Sequence, residues 1–449
     1  MILRFKALKE FILVMILKER IHFNMKKIIL SLLIIVLGCA QNQAAVILLP
    51  MDLKQKEHLK AYGITYWILA KGVEAHWLLN YRGGSFAFQH QLSFEKECKT
   101  RGVSYEVVSD AQFSGIQSEI QNPEANMDDM KLEVAPKIAV YSPDTDTKGK
   151  KVQPWDDAVT MVLTYAEIPY DVVYDREVVE GKLAQYDWLH LHHEDFTGQY
   201  GRFYRSYGHT SWYRENQRRA EELSRSLGFS KVSQCKLAVS KRIKEFVVGG
   251  GFMFAMCSAT DSYDIALAAE GVDICAQIYD GDPADPNAQQ KLDFSKTLAF
   301  KDFQLIRDPM EYEFSTIDHN YGRPQSPETD YFTLFDFSAK YDPVPTMLTQ
   351  NHTKTVKGFM GQSTAFNKQY IKPEVLILGE TKPYSEVRYI HGIAGQGFFT
   401  FYGGHDPEDY RHFVEDPETD LSLHPNSPGY RLILNNILFP AAKKKNRKT

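Results

Sequence analysis

Gly249-Gly250-Gly251-Phe252-Met253-Phe254-Ala255-Met256-Cys257-Ser258-Ala259-Thr260-Asp261 is a glycine-opened apolar run that stops abruptly at a cysteine. A helical pattern follows at once, Asp264-Ile265-Ala266-Leu267-Ala268-Ala269-Glu270, ending at Gly271. A short apolar run bounded by turn signals reads as a buried strand, so the segment predicts strand, sharp turn and helix. The turn carries the thiol. A cysteine there sits near the positive end of a helix macrodipole, which favours the thiolate. Many α/β hydrolytic enzymes hold their nucleophile at such a turn. The other reading is a small buried cysteine that closes a core strand.

The same grammar repeats on both sides. Residues 137–141 (KIAVY), 170–174 (YDVVY) and 186–192 (YDWLHLH) read as strands, with helical stretches at 154–166 and 217–246. Downstream, 374–379 (EVLILG) and 398–402 (FFTFY) read as strands and 431–439 (RLILNNILF) as a closing helix. Strands alternating with helices predict an α/β fold with a doubly wound, mostly parallel sheet. Residues 46–113 form an additional N-terminal α/β layer. The polar stretch 114–136 reads as a connector, and 137–440 as the main domain. An Asp-, Pro- and Asn-rich insertion spans 280–346, and 441–449 is a basic tail.

A formal charge of -5 over 449 residues argues against a nucleic-acid surface, which needs a strongly basic face. Near the start, Met25-Lys26-Lys27, the apolar run 28–37 and Gly38-Cys39-Ala40 have the order of a secretory signal. Residues 1–45 therefore comprise an upstream extension and an export signal. Val36-Leu37-Gly38-Cys39 resembles a loose lipobox that would leave a lipid-modified Cys39, while Ala44-Ala45 offers ordinary cleavage. Either route predicts an exported protein, periplasmic or an outer-membrane lipoprotein, touching membrane only through Cys39. Cys98, Cys235, Cys257 and Cys275 would then meet an oxidising compartment, paired fully, paired once or free.

Residues 395–409 (GQGFFTFYGGHDPED) are a second apolar strand ending in glycines, then His405 with Asp406, Glu408 and Asp409. A cysteine nucleophile needs a base, and the base an orienting carboxylate. In an open parallel sheet, sites assemble at the carboxyl ends of the strands, where Cys257 and His405 both fall.

GGFMFAMCSATD with FYGGHDPED resembles the class I glutamine-amidotransferase superfamily, and its ThuA-like branch. That resemblance implies a flavodoxin/amidotransferase-like fold with Cys257 as nucleophile, His405 as base, and Glu408 or Asp406 as orienting acid. Ala255 and Ala259 stand where the amidotransferase elbow has glycine, which argues against glutaminase activity itself. The stretches LLNYRGGSF and AMCSATD are also similar to exported Bacteroidetes proteins labelled asparagine synthetase B. The synthetase's Ser-Gly-Gly-x-Asp-Ser loop has no counterpart here, so that activity is not expected.

A third cluster is His190-Leu191-His192-His193-Glu194-Asp195. On a strand His190 and His192 share a face, a spacing that suits zinc, with His319 or His209 as candidate third ligand. Residues 200–213 (YGRFYRSYGHTSWY) interleave aromatics with Arg202 and Arg205, as a loop that stacks on sugars or grips carboxylates would. The leading expectation is an exported cysteine-dependent hydrolase of an amide or related bond. It would act without a cofactor on a small molecule, peptide or glycan. The alternatives are a non-catalytic glycan- or peptide-binding protein, and a zinc hydrolase using His190 and His192.

Overall fold

Two sheets share the chain in the computed structural model, which describes residues 45–143, 155–319 and 326–442, with isolated helical positions between 15 and 27. The export signal with Cys39 and the tail beyond residue 442 lie outside the described residues. No helix among the described residues is long and apolar enough to cross a membrane.

The N-terminal layer holds β1 (Ala45–Leu49), β2 (Ala75–Leu79), β3 (Ser85–Gln89), β4 (Glu106–Ser109) and β5 (Asp128–Leu132). They form an antiparallel sheet in the order β4-β1-β3-β2-β5. The larger sheet contains β6 (Ile138–Tyr141), β7 (Asp171–Val173), β8 (Trp188–Leu191) and β9 (Phe252–Met256). It continues with β10 (Tyr331–Leu334), β11 (Thr355–Lys357), β12 (Phe366–Asn367), β13 (Leu376–Thr381), β14 (Glu386–Ala394) and β15 (Gly397–Tyr402). Its order is β11-β10-β13-β14-β15-β9-β8-β6-β7, with β12 beside β14. The run β15-β9-β8-β6-β7 is parallel, and the wing from β14 to β11 is antiparallel.

β9 shows why its sequence is apolar throughout. Phe252, Phe254 and Met256 enter one core with helices His58–Ala70, Ala158–Tyr165 and Pro428–Leu438. Met253 and Ala255 enter a second core with helices Val232–Val248 and Asp261–Ala268. A strand covered on both faces has no solvent side to make polar. Helices on both faces of a parallel sheet make this a doubly wound α/β protein, with an N-terminal layer and an insertion.

Several boundaries differ from the sequence reading. The expected connector 114–136 contains most of helix Asp110–Gln121, opened by a Ser109–Gln112 capping box, and all of β5. β5 turns Met130 and Leu132 inward beside β2, a two-residue alternation that its acidic start disguises. The insertion 280–346 is not wholly outside the sheet, because β10 pairs with β11 and β13. The Asp264 carboxylate ties its base down by accepting the N–H groups of Leu298, Ala299 and Phe300 at 2.7–2.9 Å. Cys98, Cys235, Cys257 and Cys275 are all free and buried.

Candidate functional site

β8, β9 and β15 are adjacent and parallel, with Leu191 opposite Ala255 and Met256 opposite Tyr402. The residues that leave these strands therefore emerge side by side: His192, Cys257 and Gly403-Gly404-His405. Two backbone hydrogen bonds lace the exits together. The Cys257 N–H donates to Gly404 O at 3.1 Å, and the Ala259 N–H to His192 O at 2.9 Å.

Cys257 occupies the sharp turn its sequence predicted. Its φ is 52°, in the left-handed region that costs a non-glycine residue roughly 1–2 kcal/mol. Its Sγ accepts the Gln362 N–H at 3.3 Å. The Gln362 side chain donates to the carbonyls of Gly201 and Tyr312, closing two loops over the thiol. Burial pushes the thiol up to about 11, outweighing the backbone N–H groups that favour the thiolate. Among the described residues no hydrogen bond joins Cys257 to His405. Asp406 and Glu408 do not orient His405 either. Asp406 accepts the N–H groups of Glu408 and Asp409 and the Thr419 hydroxyl, while Glu408 pairs with His424 at 3.2 Å.

His405 instead joins a cluster of imidazoles. Its ring centroid lies 4.5 Å from that of His192, 5.7 Å from His193 and 4.4 Å from His412. One ring nitrogen from each of His192, His193 and His405 falls within 4.8 Å of the other two. Both nitrogens of His192 and Nδ1 of His405 are buried with no hydrogen-bond partner among the described residues. Burial, with repulsion from neighbouring imidazoles, holds His193 and His405 well below the usual histidine range. That direction favours the neutral imidazole, the form that binds a metal. The expected third ligand was His209 or His319; neither is in a metal-sized group among the described residues.

Carboxylates surround the cluster. Asp157 Oδ2 lies 3.1 Å from His190 Nε2 and 3.4 Å from His192 Nδ1. Burial raises the Asp157 carboxyl, but the flanking His190 and His192 outweigh it and hold it well below the carboxylate range. Asp157, His190 and His192 form a second, overlapping group of metal-sized spacing. There His190 is already engaged on both nitrogens, by Asp157 and by Phe254 O at 3.2 Å. On the other side His412 stacks on His405 and meets Asp156 and Asp409, each at 2.9 Å. Burial lowers His412, yet these two carboxylates raise it to about 9.

His193 also stands in the wall of a cavity of about 280 Å³ shared with Trp155, Glu194, Tyr200, Phe203 and Trp212. Trp155 packs edge-on against Trp212 at 5.7 Å and lies 5.6 Å from Phe203. The Trp155 Nε1 and the hydroxyl of Tyr213, another wall residue, lack hydrogen-bond partners among the described residues. The aromatic loop 200–213 thus lines a cavity beside the histidines. The HLHHED run holds two of the clustered histidines, His192 and His193, with His190 behind them. Nothing in the sequence marked His412, which reaches the site only through the turn after β15.

No family model matches the chain, and no curated protein matches it. Among solved structures, cytoplasmic protein STM3548 from Salmonella typhimurium is similar over 69% of this chain and 100% of its own, with 11% identity and a TM-score of 0.33. Cytoplasmic protein STM1381 from Salmonella typhimurium LT2 gives 68% and 100%, with 12% identity and a TM-score of 0.33. The GH42 beta-galactosidase Gan42B of G. stearothermophilus gives 61% and 28%, with 11% identity and a TM-score of 0.24. Likenesses this distant carry no functional argument.

Proposed function

We propose that this chain is a metal-dependent hydrolase that binds one zinc-class ion through His192, His193 and His405. The observation that carries the reading is the convergence of three imidazole nitrogens within 4.8 Å, in a buried setting that disfavours protonation of His193 and His405. Three histidines and an open fourth position are a catalytic zinc donor set, and such an ion brings its bound water to a pKa of about 7. The cavity beside His193 supports a glycan as substrate. Its aromatic faces can stack on the C–H face of a sugar ring, and the indole N–H and Tyr213 hydroxyl can take up sugar hydroxyls.

The test is metal analysis of the purified protein beside His405→Ala. About one equivalent of zinc in the wild type, lost in the variant, is expected. A wild type that takes up no zinc, even on titration, would remove the reading. The cysteine hydrolase is the second reading, favoured by the left-handed backbone at Cys257. It requires rapid alkylation of Cys257 at pH 6; a thiol raised to about 11 instead stays unreactive there.

A further inference from the structure

Asp157 does two jobs with one carboxylate. Its Oδ1 accepts the N–H groups of Val159 at 2.8 Å and Thr160 at 2.9 Å, capping helix Ala158–Tyr165. Its Oδ2 lies against His190 Nε2 and His192 Nδ1. The helix is anchored by Ala158, Val159, Val162 and Leu163, all buried in the core beneath the sheet. The cap therefore presents Oδ2 at one fixed place. His190 is fixed too, its Nδ1 lying 3.2 Å from Phe254 O inside the neighbouring strand.

We propose that Asp157 is the positioning residue of the metal centre, setting its affinity for a zinc-class ion by orienting His192 from the cap of this helix. The inference rests on the metal reading above. Asp157 Oδ2 approaches His192 Nδ1 to 3.4 Å without closing a hydrogen bond, so a small turn of the ring on metal binding would place the proton on Nδ1 and leave Nε2 as the ligand atom. The carboxylate also fixes the ring and raises its basicity toward the ion. His190 acts behind Asp157, holding the carboxylate rather than the metal. This gives a role to the histidine that strand periodicity singled out and that the three-imidazole group leaves aside.

The test separates the two jobs. Asparagine caps helices as well as aspartate does, so Asp157→Asn keeps the cap while removing the charge that faces His192. Metal-free wild type, Asp157→Asn and Asp157→Ser are titrated with zinc against a chromophoric chelator, and each metal-free protein is melted. The expected result is zinc affinity lower by about 10–100-fold in both variants, the cost of a lost outer-shell partner, with each metal-free variant still melting cooperatively. Either folded variant binding zinc as tightly as the wild type would overturn the positioning role alone. A wild type that binds no zinc would overturn the metal centre, and this inference with it.

Discussion

The two ends of the parallel strands differ in what they offer. At the carboxyl ends, β8, β9 and β15 release His192, Cys257 and His405 into a space crowded with imidazoles and carboxylates. At the amino ends the residues just before these strands, Asp187, Gly251 and Gln396, line a groove of about 1570 Å³. That groove is much the larger of the two, against about 280 Å³ beside His193. Its wall includes Val134, Pro136, Gly249, Tyr341 and Ile393, and it holds no group of metal-sized spacing among the described residues. The larger groove thus lacks the convergent imidazoles that the carboxyl edge brings together.

The most damaging way to break the contrast is at the buried pair beneath the carboxyl edge. Arg388 holds Asp330 at 2.9 Å and donates to Phe359 O and Thr364 O, steadying the loop that carries Gln362 to Cys257. Its own carbonyl accepts the Gly403 N–H at 2.7 Å, just before His405. Asp330→Ala takes from a buried guanidinium its hydrogen-bonded carboxylate, leaving only Glu386 at 3.5 Å, and should cost about 3–5 kcal/mol, read from urea denaturation. A loss under about 1 kcal/mol, the scale of an exposed pair, would show that the edge does not depend on it.

A smaller effect is expected where helix His58–Ala70 meets helix Pro428–Leu438. Burial, with the nearby Arg431 charge, holds His58 down to about 4, and its stacked neighbour His352 to about 3. The unfolded chain takes up these protons first. Their contribution is full above pH 6.5 and is lost as pH falls toward 4 and 3. For His58 this is about 3 kcal/mol, at 1.36 kcal/mol per pKa unit. Urea midpoints at pH 7.5 and 4.5 check it, since His58→Gln should flatten the drop; equal midpoints in the wild type would refute it.

The smallest effect sharpens the comparison from the other side. Tyr341 and Ile393 are 83% and 62% exposed at the amino-end groove. Changing either to Ser should alter stability by no more than about 0.5 kcal/mol and leave zinc uptake untouched. Loss of metal in either variant would join the two ends functionally.

What the sequence disclosed follows from how each element is stabilised. β9 and β15 were legible because strands buried on both faces must be apolar, and glycines marked their ends. β14 (EVRYIHGIA) was missed because its buried Glu386 and Arg388 are satisfied by ion pairing with each other and with Asp330, a partner far away in the chain. The site was half visible. Cys257 and His405 stood out as strand-end residues, and the backbone does bring their exits together. Yet the imidazole turns toward His192 and His193, a direction set by the order of three strands that spacing alone does not encode.

The pairing of β9 with β15 joins Phe252 to Phe398, and it brings His405 to His192 across a long stretch of chain. Closing so long a loop is slow, because its entropy is lost before any contact rewards it. The imidazole cluster cannot form until the last strand has docked, so an ion cannot template the early steps of folding. Metal uptake at the proposed site would therefore report that β15 has docked against β9.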